Sequence, residues 1–315
     1  MKMYRYLNCR NYWNNSGINR LTASLPYCMI TISSGQVRQD SANITTTLVR
    51  RDEYMDAKKG ILVVSFGTSH PTTRAATIDA IEDSISKAFP DIRVYRAWTS
   101  KMIIAKIRKN TMERIPTVSE ALCQMAEDGI TDVYIQPTHV INGIENDQMK
   151  ADAMALKDSF HSISFGMPLL SSTQDMEELI HIITEAFPSL ADDEVLILMG
   201  HGSDHYTNTA YAALDYMFKE KGHPNIYVGT VEAYPSLDHI LCRLPKKKVR
   251  RIHLTPLMIV AGDHAIHDMA GDSNESWASI CKDAGYDVAC HLTGLGEYPA
   301  IRRLIIRHLF SALNP

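Results

Sequence analysis

The six cysteines of this 315-residue chain include no C-x-x-C pair. A zinc ribbon and a thioredoxin-type redox motif are therefore excluded. No apolar run reaches the roughly 18–20 residues that a membrane span requires; Leu254–Ala261 is one of the longest. Positive charge is not in excess. The formal net charge is −4, which argues against a nucleic-acid partner held by a global positive field. There is no Walker lysine and no G-x-G-x-x-G fingerprint, so nucleotide binding has no motif to rest on. What is present is ordinary globular composition, 45% hydrophobic and 22% charged, at a length near two domains. Scattered cysteines point to free thiols in a reducing, cytoplasmic compartment. Thirteen histidines are the useful oddity, because imidazole ligates metals and exchanges protons near neutral pH.

Residues 1–54 read differently from the rest. They hold seven Lys/Arg against three acids, show no sustained period, and are rich in Asn, Ser and Thr. A basic, acid-poor start resembles a targeting segment, which keeps export open, but no apolar core with a small-residue cleavage site follows. The reading adopted is a disordered or non-native extension. Met55-Asp56-Ala57-Lys58-Lys59 leads straight into the first ordered strand and has the look of a natural beginning. The tripeptide Lys246-Lys247-Lys248 reads as a solvated loop.

From Gly60 the text becomes regular. Gly60–Phe66 is a continuous apolar run, as a strand buried on both faces requires. Helical periodicity follows over Ala75–Phe89. Strands at Arg93–Trp98, Asp132–Gln136 and Ile163–Gly166 alternate with helices at Pro116–Glu127, Ile144–Phe160 and Asp175–Phe187. Alternation of this kind predicts an α/β class with parallel sheets. The order then repeats. Glu194–Met199 is a second buried strand, and Gly200-His201-Gly202-Ser203 stands where Phe66-Gly67-Thr68-Ser69 stood. Thr209–Lys221 is a helix, Asn225–Glu232 stands for Asp91–Trp98, and Arg251–Pro256 for Val133–Pro137. Gly262-Asp263-His264 stands for Gly143-Ile144-Glu145. Asp287–His291 and Pro299–Leu313 complete the second set. The expectation is two similar doubly wound halves, 55–190 and 191–315, each with a sheet of about four strands and a cleft between them.

In open parallel sheets, ligands sit beyond the carboxyl ends of the strands. That rule selects His201 after one strand, Glu232 at the end of the next, and His264 a few residues past the third. Two imidazoles and a carboxylate suit a borderline divalent ion such as Co²⁺, Ni²⁺, Fe²⁺ or Zn²⁺. Three protein ligands leave positions open for exchange. The bland alternatives are a turn residue at His201 and a helix cap at Glu232. His267, Asp263 and Asp268 flank His264 and suit supporting roles or N-terminal helix acids. The matching positions of the first half, Gly67, Trp98 and Glu145 or their neighbours, carry no such set. His139 lies past a strand end, as cleft lining or core. His161, His181, His239 and His308 read as surface. The loops at Gly67-Thr68-Ser69 and Gly200-His201-Gly202-Ser203 open helices, whose free amides suit an anion such as a carboxylate.

The segments LVVSFGTS (Leu62–Ser69), RAWTSKMIIAKI (Arg96–Ile107), HVING (His139–Gly143), PLLSS (Pro168–Ser172), LMGHGS (Leu198–Ser203), VEAYPS (Val231–Ser236), PLMIVAGDHAIHDMAGD (Pro256–Asp272) and GLGEYPAIR (Gly294–Arg302) together resemble the class II tetrapyrrole chelatases, most closely those of the anaerobic sirohydrochlorin cobalt chelatase (CbiK) type. The resemblance implies two flavodoxin-like halves. It implies insertion of Co²⁺ into sirohydrochlorin in anaerobic cobalamin biosynthesis, with no organic cofactor and a homo-oligomeric state. The family's metal ligands fall on His201, Glu232 and His264; by the chemistry of imidazole, one or both of His201 and His264 take the ring protons, with His264, near Asp263 and Asp268, as the expected primary base. It also implies a tetrapyrrole cleft, to which Thr68, Ser69, Ser203 and Trp98 are assigned, with Phe66 as a weaker candidate for the ring face. Iron or nickel insertion, and a non-catalytic carrier, are the alternatives to be separated.

Overall fold

The computed structural model describes residues 57–245 and 248–314. The expectations for the 1–54 head and for Lys246 and Lys247 lie outside them. The first sheet is built from β1 (Lys59–Ser65), β2 (Arg93–Trp98), β3 (Asp132–Pro137) and β4 (Ser162–Phe165), in the order β2-β1-β3-β4. Its helical segments are α1 (Pro71–Arg74), running through a π-helical stretch at Ala75–Asp79 into α2 (Ala80–Ala88), then α3 (Lys101–Thr111), α4 (Val118–Glu127), α5 (Ile144–Met154) and α6 (Thr173–Ala186). The second sheet contains β5 (Glu194–Gly200), β6 (Ile226–Thr230), β7 (Arg251–Pro256) and β8 (Asp287–Cys290), in the order β6-β5-β7-β8. Around it lie α7 (Thr209–Glu220), α8 (Leu237–Arg243), a π-helical turn at His264–Met269, α9 (Trp277–Asp283) and α10 (Pro299–Leu313). Every strand pair is parallel. The expected fold is therefore present twice, and the strand order reverses at β1/β3 and again at β5/β7, where doubly wound folds take ligands.

Strand parity explains why the central strands are continuous apolar runs. In β1, Ile61 and Val63 face one core while Leu62 and Val64 face another. In β5, Leu196 and Leu198 face the first of these cores, and Val195, Ile197 and Met199 a third. The shared core is filled by α2 (Ile81, Ile85), α6 (Leu179, Ile183), α7 (Leu214, Phe218) and α10 (Ile301, Leu304, Ile305, Leu309). The outer faces are covered separately, by α4 and α5 on the first sheet and by α8 and α9 on the second. A helical layer between two sheets thus fuses the halves.

The last helix returns to the first half. His308 accepts no solvent role: it is 8% exposed, with Nε2 2.9 Å from Asp175 Oδ1 and Nδ1 3.0 Å from the Met167 carbonyl. Arg307 also donates to Asp175 and to Glu178. The surface assignment of His308 is corrected by this burial, which the apolar stripe of α10 enforces by carrying position 308 inward with Leu304 and Leu309. Three helices absent from the sequence reading, α3, α8 and α9, are two or three turns long and lack extended periodicity.

The register corrects the alignment of the halves. Val64 pairs with Pro137 and Met199 with Pro256, so Phe66, not Gly67, is the counterpart of His201. Ser65 pairs with Trp98 and Gly200 with Thr230, so Ser100, not Trp98, is the counterpart of Glu232. Glu145 remains the counterpart of His264, each eight residues past the matching proline. Shared Gly and Ser letters had shifted the reading by one residue at β1/β5.

Two predictions come from this packing. Asp175 is buried, and although burial raises its pKa, hydrogen bonds from His308 and Ser172 hold it below the usual carboxylate range. Asp175→Ala strips the partner from buried His308 and should cost about 3 kcal/mol in urea unfolding; a loss below about 0.5 kcal/mol would show that α10 is held by apolar contact alone. His139, just past β3, has both ring nitrogens closed off without a hydrogen-bond partner. Burial pushes its pKa down to about 4, only partly opposed by the Glu145 carboxylate. The unfolded imidazole binds its proton near 6.5. Between about pH 6.5 and 4 the unfolded state therefore holds the extra proton, and stability falls with acidity by up to roughly 1.4 kcal/mol per pH unit. His139→Gln should remove that slope, read as the difference between wild-type and variant unfolding curves across this window.

Candidate metal centre

The β5–β6 ladder continues past both strands. Val231 N donates to Gly200 O and Glu232 N to His201 O, each at 3.0 Å. This backbone bond sets His201 beside Glu232. Gly202 has φ +91, and a Cβ there would lie 2.9 Å from Ala233 N. Only glycine lets the β5 loop press this closely on the β6 loop. The third residue, His264, opens the π-helical turn after β7.

The three side chains meet. One ligand atom each from His201, Glu232 and His264 lies within 4.8 Å of the others. The imidazole rings stand edge to face, centroids 4.6 Å apart at 88°. Glu232 Oε2 is 3.6 Å from His201 Nδ1. His201 Nδ1 sits 2.9 Å from the Gly202 carbonyl, and His264 Nδ1 2.5 Å from Asp268 Oδ2. A carbonyl can only accept, so His201 donates through Nδ1; Asp268 draws the Nδ1 proton of His264 in the same way. Both Nε2 lone pairs are thereby free for a metal or a proton. All three groups are partly open to solvent.

Of the two acids flanking His264, only Asp268 supports it. Asp263 turns away to His70 of the first half, at 2.7 Å, with Lys106 Nζ at 3.8 Å. The His70 hydrogen bond holds the Asp263 carboxyl below its ordinary range against the effect of burial. His267 is exposed and stands outside the three-residue group. A second bridge matches the first: His205 Nε2 lies 3.3 Å from Asp147 Oδ2, and Thr207 donates to the Asn142 carbonyl at 3.1 Å. His70 and His205 both lie five residues past their strands. The repeated offset, Gly67-Thr68-Ser69-His70 and Gly202-Ser203-Asp204-His205, was the unused sequence signal for these cross-half contacts.

The residues assigned to a tetrapyrrole cleft divide. Thr68 is buried, its hydroxyl accepting from His70 N at 3.2 Å. Ser203 accepts from His205 N at 3.1 Å, while its own N–H goes to Asn208. Three amides of these loops, those of His70, Ser203 and His205, are thus taken up within the loops themselves. Ser69 is half-buried at the same loop. Trp98 is fully buried. A Cβ on Gly67, where φ is +104, would lie 2.5 Å from its ring, and the Arg74 guanidinium covers it at 5.2 Å. Trp98 therefore props the β1 loop from beneath and presents no face to a ligand. Phe66, the weaker candidate for the ring face, is the one exposed, at 43%. The inversion follows from position: Trp98 still belongs to the β2 ladder, whereas Phe66 is the first residue beyond β1.

The Cobalt chelatase (CbiK) family model matches residues 59–314. The sirohydrochlorin cobaltochelatase of Salmonella typhimurium is 42% identical over 257 residues, covering 82% of this chain and 97% of that protein. The sirohydrochlorin cobaltochelatase CbiKC of Nitratidesulfovibrio vulgaris is 32% identical, covering 82% and 91%. Among solved structures, SirB from Bacillus subtilis with Fe³⁺ superposes at a TM-score of 0.57 with 13% identity, covering 82% of this chain and 96% of that one. DR2241 from Deinococcus radiodurans, described as having structural similarity to chelatases, gives 0.54 with 12% identity, covering 80% and 55%. The structural matches speak for the fold, while the family match spans every described strand and helix: the chain belongs to the CbiK family of cobalt chelatases.

Proposed function

We propose that this chelatase inserts Co²⁺ into sirohydrochlorin, releasing two protons, in anaerobic cobalamin biosynthesis. The observation that carries the reading is the pair of imidazoles whose Nδ1 atoms are engaged and whose Nε2 atoms are free, set against Glu232 within 4.8 Å. Two curated relatives bearing the sirohydrochlorin cobaltochelatase name support the choice of substrate. Insertion exchanges metal-bound water for four ring nitrogens and removes two pyrrole protons. His201, Glu232 and His264 hold the incoming ion. Three ligands are few enough to let it go again. His264 is the principal base: as the ion passes to the ring nitrogens, the Nε2 lone pair it frees takes a pyrrole proton, with the imidazole held in place by Asp268 at Nδ1. His201, whose Nδ1–H faces a neutral carbonyl, takes the second proton or keeps the ion in place. The unpaired thiols of Cys123, Cys242, Cys281 and Cys290 accord with a reducing cytoplasm.

The test is an anaerobic absorbance assay of sirohydrochlorin with Co²⁺ and catalytic protein. Turnover far beyond one equivalent and above the spontaneous rate is expected, and the same assay with Fe²⁺ and Ni²⁺ ranks the metals. A spectral change that stops at one equivalent would make the protein a carrier. His264→Ala and His201→Ala should each abolish turnover with an unchanged far-UV spectrum; near-normal turnover in either would remove that residue from the reaction. Glu232→Gln should raise the KM for Co²⁺ with a smaller effect on kcat. Asp268→Asn leaves the shape of the site intact but withdraws the charge behind His264, and should lower activity roughly 10–100-fold. Full activity in that variant would sink the assignment of His264 as principal base.

A further inference from the structure

Among the described residues, α3 is a helix at this sheet edge with no counterpart in the second half. After β6 the chain goes from Glu232 through a short bend to α8, whereas after β2 it makes α3 before reaching α4. Ser100, the counterpart of Glu232, caps α3 by accepting from Ile103 N. The helix thus springs from the place where the second half puts a metal-site carboxylate. Its sequence, KMIIAKIRKNT, has four cations and no acid. Only the Ile103, Ile104 and Ile107 stripe is drawn into the protein. Met102, Lys106 and Lys109 follow the i, i+4, i+7 spacing and share one exposed face. Lys106 fixes where that face looks, since its Nζ lies 3.8 Å from Asp263, the residue before His264. Met102 is 77% exposed, and the Ser100 N–H binds the carbonyl of the exposed Phe66. A cationic face edged with apolar surface therefore stands beside the metal trio.

Resting on the proposed activity, we infer that α3 is the substrate-recognising helix, with Lys106 and Lys109 taking peripheral carboxylates of the tetrapyrrole while Met102 and Phe66 meet the macrocycle. The chemistry fits the shape. A flat apolar ring fringed with carboxylates needs an apolar platform with cations at its margin, and α3 supplies both without an acid on its surface. The nearby carboxylates do not neutralise it. Asp263 already accepts from His70 at 2.7 Å, and Glu113 is held by both Arg74 terminal nitrogens at 2.8 Å. The ammonium of Lys106, at a loose 3.8 Å from Asp263, is free to transfer to a substrate carboxylate. This makes α3 a determinant of which tetrapyrrole is accepted: a ring without carboxylates on that edge gains nothing from it.

The experiment is equilibrium binding of sirohydrochlorin without metal, followed by its fluorescence, and separately of Co²⁺ without tetrapyrrole. The double variant Lys106→Gln/Lys109→Gln should weaken sirohydrochlorin roughly tenfold and reduce the salt dependence of binding, with Co²⁺ affinity unchanged. Lys157→Gln, an exposed lysine on the turn before β4, should leave both affinities as they are. Equal sirohydrochlorin affinity in wild type and the double variant overturns the assignment of α3. So does a loss confined to Co²⁺, which would mean that Lys106 acts through Asp263 on the metal trio. If the unmodified protein takes up no sirohydrochlorin, the proposed activity falls and this inference with it; if it binds and turns over while the double variant binds equally well, only the role of α3 falls.

Discussion

Two backbone hydrogen bonds beyond the ends of the strands hold the site together. Glu232 N to His201 O fixes the second half's carboxylate against its first imidazole, and Ser100 N to Phe66 O does the same for the matching residues of the first half. A parallel ladder delivers consecutive strand ends to one edge, and extending it by two residues makes their spacing a property of the backbone. The side chains then need few contacts of their own. Gly202 makes the extension possible in one half and Gly67 in the other, each with positive φ and each pressed against a neighbour that excludes a Cβ. In the first half that neighbour is the Trp98 ring, and in the second it is the backbone of Ala233.

The same scaffold therefore carries different chemistry twice. Where the second half has His201, Glu232 and His264, the first has Phe66, Ser100 and Glu145. Where one half has an imidazole the other has an aromatic ring, and where one has a carboxylate the other has a helix-capping hydroxyl. One half presents two imidazoles and a carboxylate; the other presents an exposed aromatic ring and a cationic helix. The shared helical core holds these two unlike faces together, with the His308–Asp175 contact tying the final helix back to the first half. Near the site the tie is polar. His70 reaches Asp263 and His205 reaches Asp147, so each half grips an acid of the other, one before the π-helical turn and one in the first turn of α5. His70 also draws Asp263 away from His264, which leaves Asp268 as the acid behind the base.

Much of this was legible in the letters. Continuous apolar strands, punctuating glycines and prolines, and the repeated order of elements specify the two sheets, because each is a local consequence of burial on both faces. His201, Glu232 and His264 stand out because strand ends in parallel sheets converge, and polar metal-binding residues there have few structural duties. What the letters hid was parity and distance. Whether Trp98 or Phe66 faces outward turns on which residue is the last in its ladder, a matter of one position. The burial of His308 depends on where α10 docks, some 130 residues away in sequence from Asp175. The short helix α3 buries only three isoleucines and leaves too brief a stripe to be read as a period.

The asymmetry has a physical logic. A metal ion must be bound weakly enough to leave, and on the proposed ligand assignment the second half would hold it with three ligands and open positions. A large polyanionic ring must be oriented before it is deprotonated, and orientation calls for area and distributed charge, which a coordination site does not provide. Placing both functions on one half would set lysines beside the imidazoles that must accept protons, and neighbouring positive charge disfavours protonation. Dividing them puts the cations of α3 on the other half, where Lys106 faces Asp263 at 3.8 Å. The carboxylate that answers the imidazole comes instead from Asp268, on the same turn as His264. The two edges are equivalent in backbone and unlike in side chains; on the proposed roles, that difference separates the force that positions the ring from the bases that take its protons.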